Sequence, residues 1–161
     1  MQSGVEFDAE IEPVSKEDFS TIKKDIGRFA KFDWSKYKGK EVYQLKLKNG
    51  KQILGLMCII DHTDPYTNAI EIELLEVAAE NVGVDKKIEN IGGCLIAFAC
   101  RESIKRGHDG YVFLIPKTEL VKHYINHYGF EHFPMRTSER PEGFLYLEDY
   151  TSRSLIEKYL N

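Results

Sequence analysis

The residues from Lys86 to Leu95, KKIENIGGCL, bring two lysines and two adjacent glycines to the point where a polar loop becomes an apolar run. If a helix starts there, its first backbone N–H groups lack partners and its dipole is positive, which suits an anion such as a phosphate. Gly92 and Gly93 would let the backbone approach a ligand because no Cβ intervenes, and Lys86 and Lys87 could neutralise charge. The competing reading is that the two glycines only let the helix pack tightly on a sheet.

Other residues invite chemistry less directly. Glu71 and Glu73 share parity with Leu75 and Val77 in AIEIELLEVA, so on a strand they project to one face, and Glu76 to the other. Such carboxylates could accept a proton from an amine, or form a solvated strand face. His123 and His127 stand four apart, as zinc ligands on a helix do. The metalloprotease pattern needs Glu at position 124, where Tyr stands, and no third ligand is evident, so no metal is expected. Cys94 and Cys100 lie in an apolar stretch and read as core thiols. The rings of HYINHYGFEHF could line a cleft or simply pack. Lys36, Lys38, Lys40, Lys46, Lys48 and Lys51 form a basic region whose usual meaning is a solvated surface.

These residues need elements to position them. Val5 to Ile11 alternates as a half-buried strand. Ser15 with Asp18 marks a helix start, and Phe19, Ile22, Ile26 and Phe29 keep helical spacing to about Ala30. The stretch 31–40 reads as a loop with room for one helical turn. Val42–Lys48 and Ile53–Ile60 form strands joined at Asn49-Gly50, a hairpin signal in which both turn residues need positive φ. Ala69–Ala78 is a further strand. Ile91 to about Arg106 is a helix apolar on nearly all sides, closed by Gly107. Tyr111–Ile115 is a continuous apolar strand, as inside a parallel sheet. Lys117–His127 is a second helix capped by Gly129. Phe130–Arg136 and Phe144–Leu147 are strands joined by TSERPEG, and Ser152–Leu160 is a closing helix. The order predicts an α/β (or α+β) fold in one domain over 1–161. Its mixed sheet carries helices on both faces, and a right-handed crossover joins two parallel strands.

Composition bounds the class. With 161 residues, 42% hydrophobic and 30% charged, the chain suits one globular domain. A net charge of −4 makes nucleic acid an unlikely partner. No apolar run nears the roughly 20 residues a membrane helix needs, so no membrane partner is expected. No secretory signal is visible, and three cysteines without a CxxC pair favour free thiols in a reducing cytoplasm.

The order of elements and these motifs resemble the GCN5-related N-acetyltransferase (GNAT) superfamily. Lys87-Ile88-Glu89-Asn90-Ile91-Gly92 matches its Gln/Arg-x-x-Gly-x-Gly/Ala frame, with Asn90 at the first glycine. Tyr124-Ile125-Asn126-His127-Tyr128-Gly129-Phe130 partly matches its Tyr-x-x-x-Gly-Phe ending. The resemblance implies the acyl-CoA N-acyltransferase fold with acetyl-CoA as cosubstrate. Pyrophosphate would lie on the backbone of Lys87, Asn90, Ile91, Gly92 and Gly93. Pantetheine would run beside Leu75 and Val77, and Thr118 is a further cofactor-side candidate. The implied reaction is direct attack by an amine on the thioester in a ternary complex. Glu71 or Glu73 would be the base, and backbone N–H groups of 75–78 would hold the carbonyl. The family's usual general acid is a Tyr where this chain has Ile125; Tyr124 and Tyr128 flank it, although α-helical steps of about 100° point them elsewhere, so the acid is water, Tyr124 or Tyr128, or is dispensable, or the protein does not acetylate. A homodimer through edge strands or the C-terminal hairpin is compatible with the resemblance. Ile125 and Asn90 support an alternative, a non-catalytic GNAT-like protein that binds CoA or a protein partner. The basic hairpin supports another, a toxin-type enzyme acting on aminoacyl-tRNA.

Overall fold

The alternating stretches become seven strands. The computed structural model describes residues 8–24, 27–83, 88–116, 120–133 and 143–160. In chain order the strands are β1 (Ala9–Pro13), β2 (Glu41–Leu47), β3 (Ile53–His62), β4 (Ala69–Val77), β5 (Val112–Leu114), β6 (Glu131–Phe133) and β7 (Phe144–Leu147). The helices are α1 (Lys16–Lys24), α2 (Ile91–Lys105), α3 (Val121–His123) and α4 (Asp149–Leu160); α3 continues as a π-helical turn over Tyr124–Tyr128. The sheet order is β1-β2-β3-β4-β5-β7-β6. β4 and β5 run parallel, while β1–β2, β5–β7 and β6–β7 are antiparallel, so the sheet is mixed. No helix among the described residues is long and apolar enough to cross a membrane.

Two compact units divide the chain: Met1–Cys58 with Leu74–Leu95, and Ile59–Glu73 with Ile96–Asn161. In the first, α1 opens with a reciprocal cap. The Asp18 N–H donates to Ser15 Oγ at 3.2 Å and the Ser15 N–H to Asp18 Oδ2 at 3.0 Å. The described helix ends at Lys24 rather than near Ala30. Phe29 still reaches the core, but from a turn beyond Gly27, where the chain bends and Arg28 is fixed in place. The Arg28 guanidinium donates to Glu80 and to the Ile53 carbonyl, while its own carbonyl accepts the Ala79 N–H. Phe19, Ile22, Phe29 and Trp34 pack against Val42, Leu56 and Cys58. On the opposite face of β3, Gly55 lies under α2: a Cβ there would stand 2.8 Å from Ile91 Cγ2 and 2.9 Å from Leu95 Cδ1. β3 therefore carries a helix on each face.

The hairpin between β2 and β3 departs from expectation. Positive φ falls on Gly50 (+81°) and Lys51 (+58°), not on Asn49. The Leu47 N–H donates to the Gln52 carbonyl across four loop residues, so the turn is longer than a two-residue one. Part of the predicted first strand, residues 5–7, lies outside the described residues, as do 117–119, 134–136 and most of the TSERPEG loop. α4 starts at Asp149, three residues earlier than expected.

In the second unit Val112, Leu114, Leu145 and Leu147 are buried together, with Val112↔Leu147 and Leu114↔Leu145 in register. All three residues of β5 are buried, Phe113 at 8% exposure included, as expected of an interior strand. Tyr111 and Ile115, just beyond its ends, are 43% and 39% exposed. Gly107 (φ +84°) closes α2, and Gly129 (φ +81°) closes the π-helical turn, its N–H donating to the Ile125 carbonyl. The turn between β3 and β4 is held by His108. One ring nitrogen lies 2.5 Å from Asp61 Oδ1 and the other 2.6 Å from Asn68 Oδ1; Arg106 also reaches Asp61. Burial opposes ionisation of Asp61, but hydrogen bonds and charge from His108 and Arg106 outweigh it and hold its carboxyl below the usual value.

Two outcomes follow from these contacts. Gly55→Ala is expected to destabilise the protein by roughly 1–3 kcal/mol in urea unfolding, because the added methyl must displace Ile91 and Leu95. Asp61 has a folded pKa below its unfolded value, so its stabilisation is present above about pH 4 and lost as pH falls through the folded value. Asp61→Asn should therefore flatten part of the stability loss measured between about pH 5 and pH 2.

Candidate functional site

The residues singled out by type and spacing fall into three groups. The first is the start of α2. Asn90 adopts the left-handed conformation (φ +68°), which Asn tolerates better than most residues, and its carbonyl accepts the Cys94 N–H at 3.0 Å. The preceding N–H groups, of Ile91, Gly92 and Gly93, thus have no acceptor within the helix. The Ile88 N–H donates to Asn81 Oδ1 at 2.9 Å, which pins the chain entering this turn. Ile91 and Gly93 are buried, Gly92 half-buried and Asn90 exposed. The close packing of this helix start is carried by Ile91 and Leu95 against Gly55. Lys86, Lys87 and Thr118 lie outside the described residues. Leu75 and Val77 are half-buried on β4, beyond its ladder to β5 at Ile70↔Val112 and Glu71↔Phe113.

The second group separates the carboxylates of β4. Glu76 is buried and structural: it accepts the Trp34 Nε1–H at 2.8 Å and the Lys31 N–H at 2.9 Å. Glu71 instead faces His62, with Oε1 2.8 Å from Nε2. The His62 ring lies 5.3 Å from that of Phe113. Sequence reasoning missed His62 because it sits in a polar stretch, DHTDPYTN. The available signal was the short β3–β4 connection, which returns the chain near its own end. Glu73 is half-buried on the same face as Glu71.

Tyr124 and Tyr128 form the third group. A π-helical turn replaces the α-helical one expected here, and in it too neighbouring side chains leave the axis in different directions, so Tyr124 and Tyr128 still diverge from Ile125. Their rings are 6.2 Å apart; Tyr124 also packs on Phe130 at 5.6 Å, and Tyr128 on Tyr159 at 6.3 Å. Burial pushes the Tyr124 hydroxyl up, so it stays protonated and can donate. His123 and His127 stack face to face with centroids 5.3 Å apart. Among the described residues no group of three His, Cys, Asp or Glu side chains is placed to hold a metal. Cys58 and Cys100 are buried thiols outside any disulfide, and burial pushes Cys100 up to about 12.

A concavity of about 480 Å³ opens in the second unit. It is lined by Tyr66, Tyr111, Phe113, Phe133, Phe144 and Tyr146, with Glu148 beside them. The hairpin lysines form no free basic stripe: Lys46 pairs with Glu12, Lys48 with Asp8 and Lys51 with Glu10.

No family model matches the chain, and no curated relative matches it in sequence. Solved structures match along nearly its whole length. The KacTA–DNA complex aligns with a TM-score of 0.60 at 15% identity, covering 93% of this chain and 99% of that one. AtaT complexed with acetyl-methionyl-tRNAfMet aligns at 0.55 and 14%, covering 92% and 99%. An acetyltransferase of the GNAT family from Listeria monocytogenes 4b F2365 aligns at 0.55 and 15%, covering 91% and 95%. The mixed seven-stranded sheet with its parallel β4–β5 pair thus belongs to a known architecture: the chain has the acyl-CoA N-acyltransferase fold of the GNAT acetyltransferases.

Proposed function

We propose that the chain is an acetyl-CoA-dependent N-acetyltransferase, with residues 1–161 acting as one catalytic domain. The observation that carries this reading is the start of α2. There a left-handed Asn90 leaves the N–H groups of Ile91, Gly92 and Gly93 as donors at the positive end of a long helix. These groups, with Lys87, would hold the pyrophosphate. Backbone groups near Leu75 and Val77 would hold pantetheine and the thioester carbonyl, and Thr118 is a further contact. Solved structures of this fold hold acetyl-CoA, including AtaTR bound with AcCoA.

In the reaction the acceptor nitrogen attacks the thioester carbonyl. A C–N bond forms, the C–S bond breaks, and CoA leaves as its thiolate. The amine's proton passes to the Glu71–His62 pair, whose hydrogen bond fixes both side chains; Glu73 stands on the same face. Protonation of the thiolate falls to Tyr124 or Tyr128, since Ile125 can donate nothing.

A nucleic-acid-borne amine is the second reading for the acceptor. One structure of this fold holds acetyl-methionyl-tRNAfMet and another DNA, so a net charge of −4 does not by itself exclude such an acceptor.

Acetyl-CoA should raise the melting temperature, and Gly92→Glu should abolish the rise while leaving the far-UV circular dichroism unchanged. No rise in the unaltered chain at millimolar acetyl-CoA would defeat the proposal. With an accepting amine in hand, Glu71→Gln and His62→Gln should each lower kcat about 100-fold in thiol release, with less change in KM. Tyr124→Phe and Tyr128→Phe identify the acid as the one that lowers kcat.

A further inference from the structure

The face of the sheet that carries Glu71 has a distinct chemistry in the second unit. Cross-strand register sets Glu71 beside Phe113, Phe113 beside Tyr146, and Tyr146 beside Glu131, in one row over four strands. The adjoining row pairs Phe144 with Phe133, whose rings stack at 5.0 Å, and Phe113 meets Phe144 edge-on at 6.0 Å. Tyr66 and Tyr111 complete the rim, both solvent-exposed. Three carboxylates share this face: Glu71, Glu131 and Glu148. Among the described residues lining the concavity there is no Lys, Arg or His. His62 is near Phe113 but is engaged with Glu71. Burial first, then the negative charges of Glu131 and Glu148, push the Tyr146 hydroxyl up, which is the mark of a negative local field.

Tyr66, Tyr111 and Phe133 are exposed, Phe144 and Tyr146 half-buried and Phe113 buried at the floor, a partly open cluster of rings of the kind that marks a binding site. The faces of Phe and Tyr rings carry negative charge density and attract cations, most of all where a carboxylate adds to the field. A polyanion would meet Glu131 and Glu148 at close range. We propose that the concavity floored by Phe113, Phe144 and Tyr146 binds a compact organic ammonium ion beside an apolar or planar group. Its rings hold the cation and Glu148 its charge. Binding of the cation stands on this geometry alone. Its role as the acetyl acceptor rests on the acetyltransferase reading, in which the protonated amine first binds here and then yields its proton to the Glu71–His62 pair.

The test uses the full chain and three probes sharing one frame. Phenethylamine is cationic near neutral pH, 2-phenylethanol is neutral and phenylacetate is anionic. Binding is read by two-dimensional NMR shift perturbation in the absence of acetyl-CoA. The amine should bind roughly 3- to 30-fold more tightly than the alcohol, and the anion most weakly. Glu148→Gln should shrink the preference for the amine without abolishing binding of the alcohol. Phe144→Leu, with its folding checked in the same spectra, should weaken all three probes. Equal binding of amine and alcohol would overturn the proposal, as would tighter binding of the anion, failure of all three probes to bind, or perturbation of this face by a short acceptor-stem RNA. Cation binding without any acetyl-CoA-induced rise in melting temperature would leave the site standing and remove the acetyltransferase reading. The reverse result would remove only this site.

Discussion

The contact on which the candidate cofactor site depends is a hydrophobic one. α2 is apolar on nearly all sides and must be buried. Its first turn rests on β3 at Gly55, where the side chains of Ile91 and Leu95 fill the space a Cβ would need. That approach fixes where the helix begins. The chain then has to enter through a left-handed residue, and Asn90 supplies it (φ +68°). The N–H groups of Ile91, Gly92 and Gly93 precede the first intrahelical bond, from the Cys94 N–H to the Asn90 carbonyl. The proposed anion seat would thus be a by-product of how tightly α2 packs on β3.

The carboxylates of β4 show how surroundings decide the fate of one side-chain type. Glu76 is buried and would be costly there if unpaired. The Trp34 indole N–H and the Lys31 backbone N–H satisfy it, and in doing so tie the loop after α1 to the strand. Glu71, five residues earlier, faces the opposite way and meets an imidazole instead. A carboxylate whose acceptor sites are occupied by fixed N–H groups is a structural strut. One paired to a titratable ring can exchange a proton.

Much of the fold was legible because hydrophobic period and glycine punctuation agree over long stretches. The strand pattern of 69–77, the capping pair Ser15–Asp18 and the stops at Gly107 and Gly129 all follow from local physics. The misreadings have physical causes too. Phe29 keeps helical spacing with Ile22 yet lies past Gly27, since burial can be reached from a turn as well as a helix. Asn49-Gly50 satisfies a two-residue turn, but register passed the positive φ to Gly50 and Lys51. The π-helical turn over Tyr124–Tyr128 leaves no periodic trace, because a single i→i+5 turn is shorter than any window that reveals a period. His62 was hidden because its importance comes from a partner across the β3–β4 turn, not from its neighbours in sequence.

YVFLI carries the subtlest lesson. A run of five apolar residues looks the same whether both faces of the strand are aliphatic or one carries a ring. Register resolves it. Val112 and Leu114 meet Leu147 and Leu145 in the buried layer, while Phe113 meets Tyr146 and Glu71 on the other face. An aliphatic residue in place of Phe113 would preserve the apolar run while removing a ring face. On this strand, then, apolar character runs through both faces, and ring character alone varies with parity.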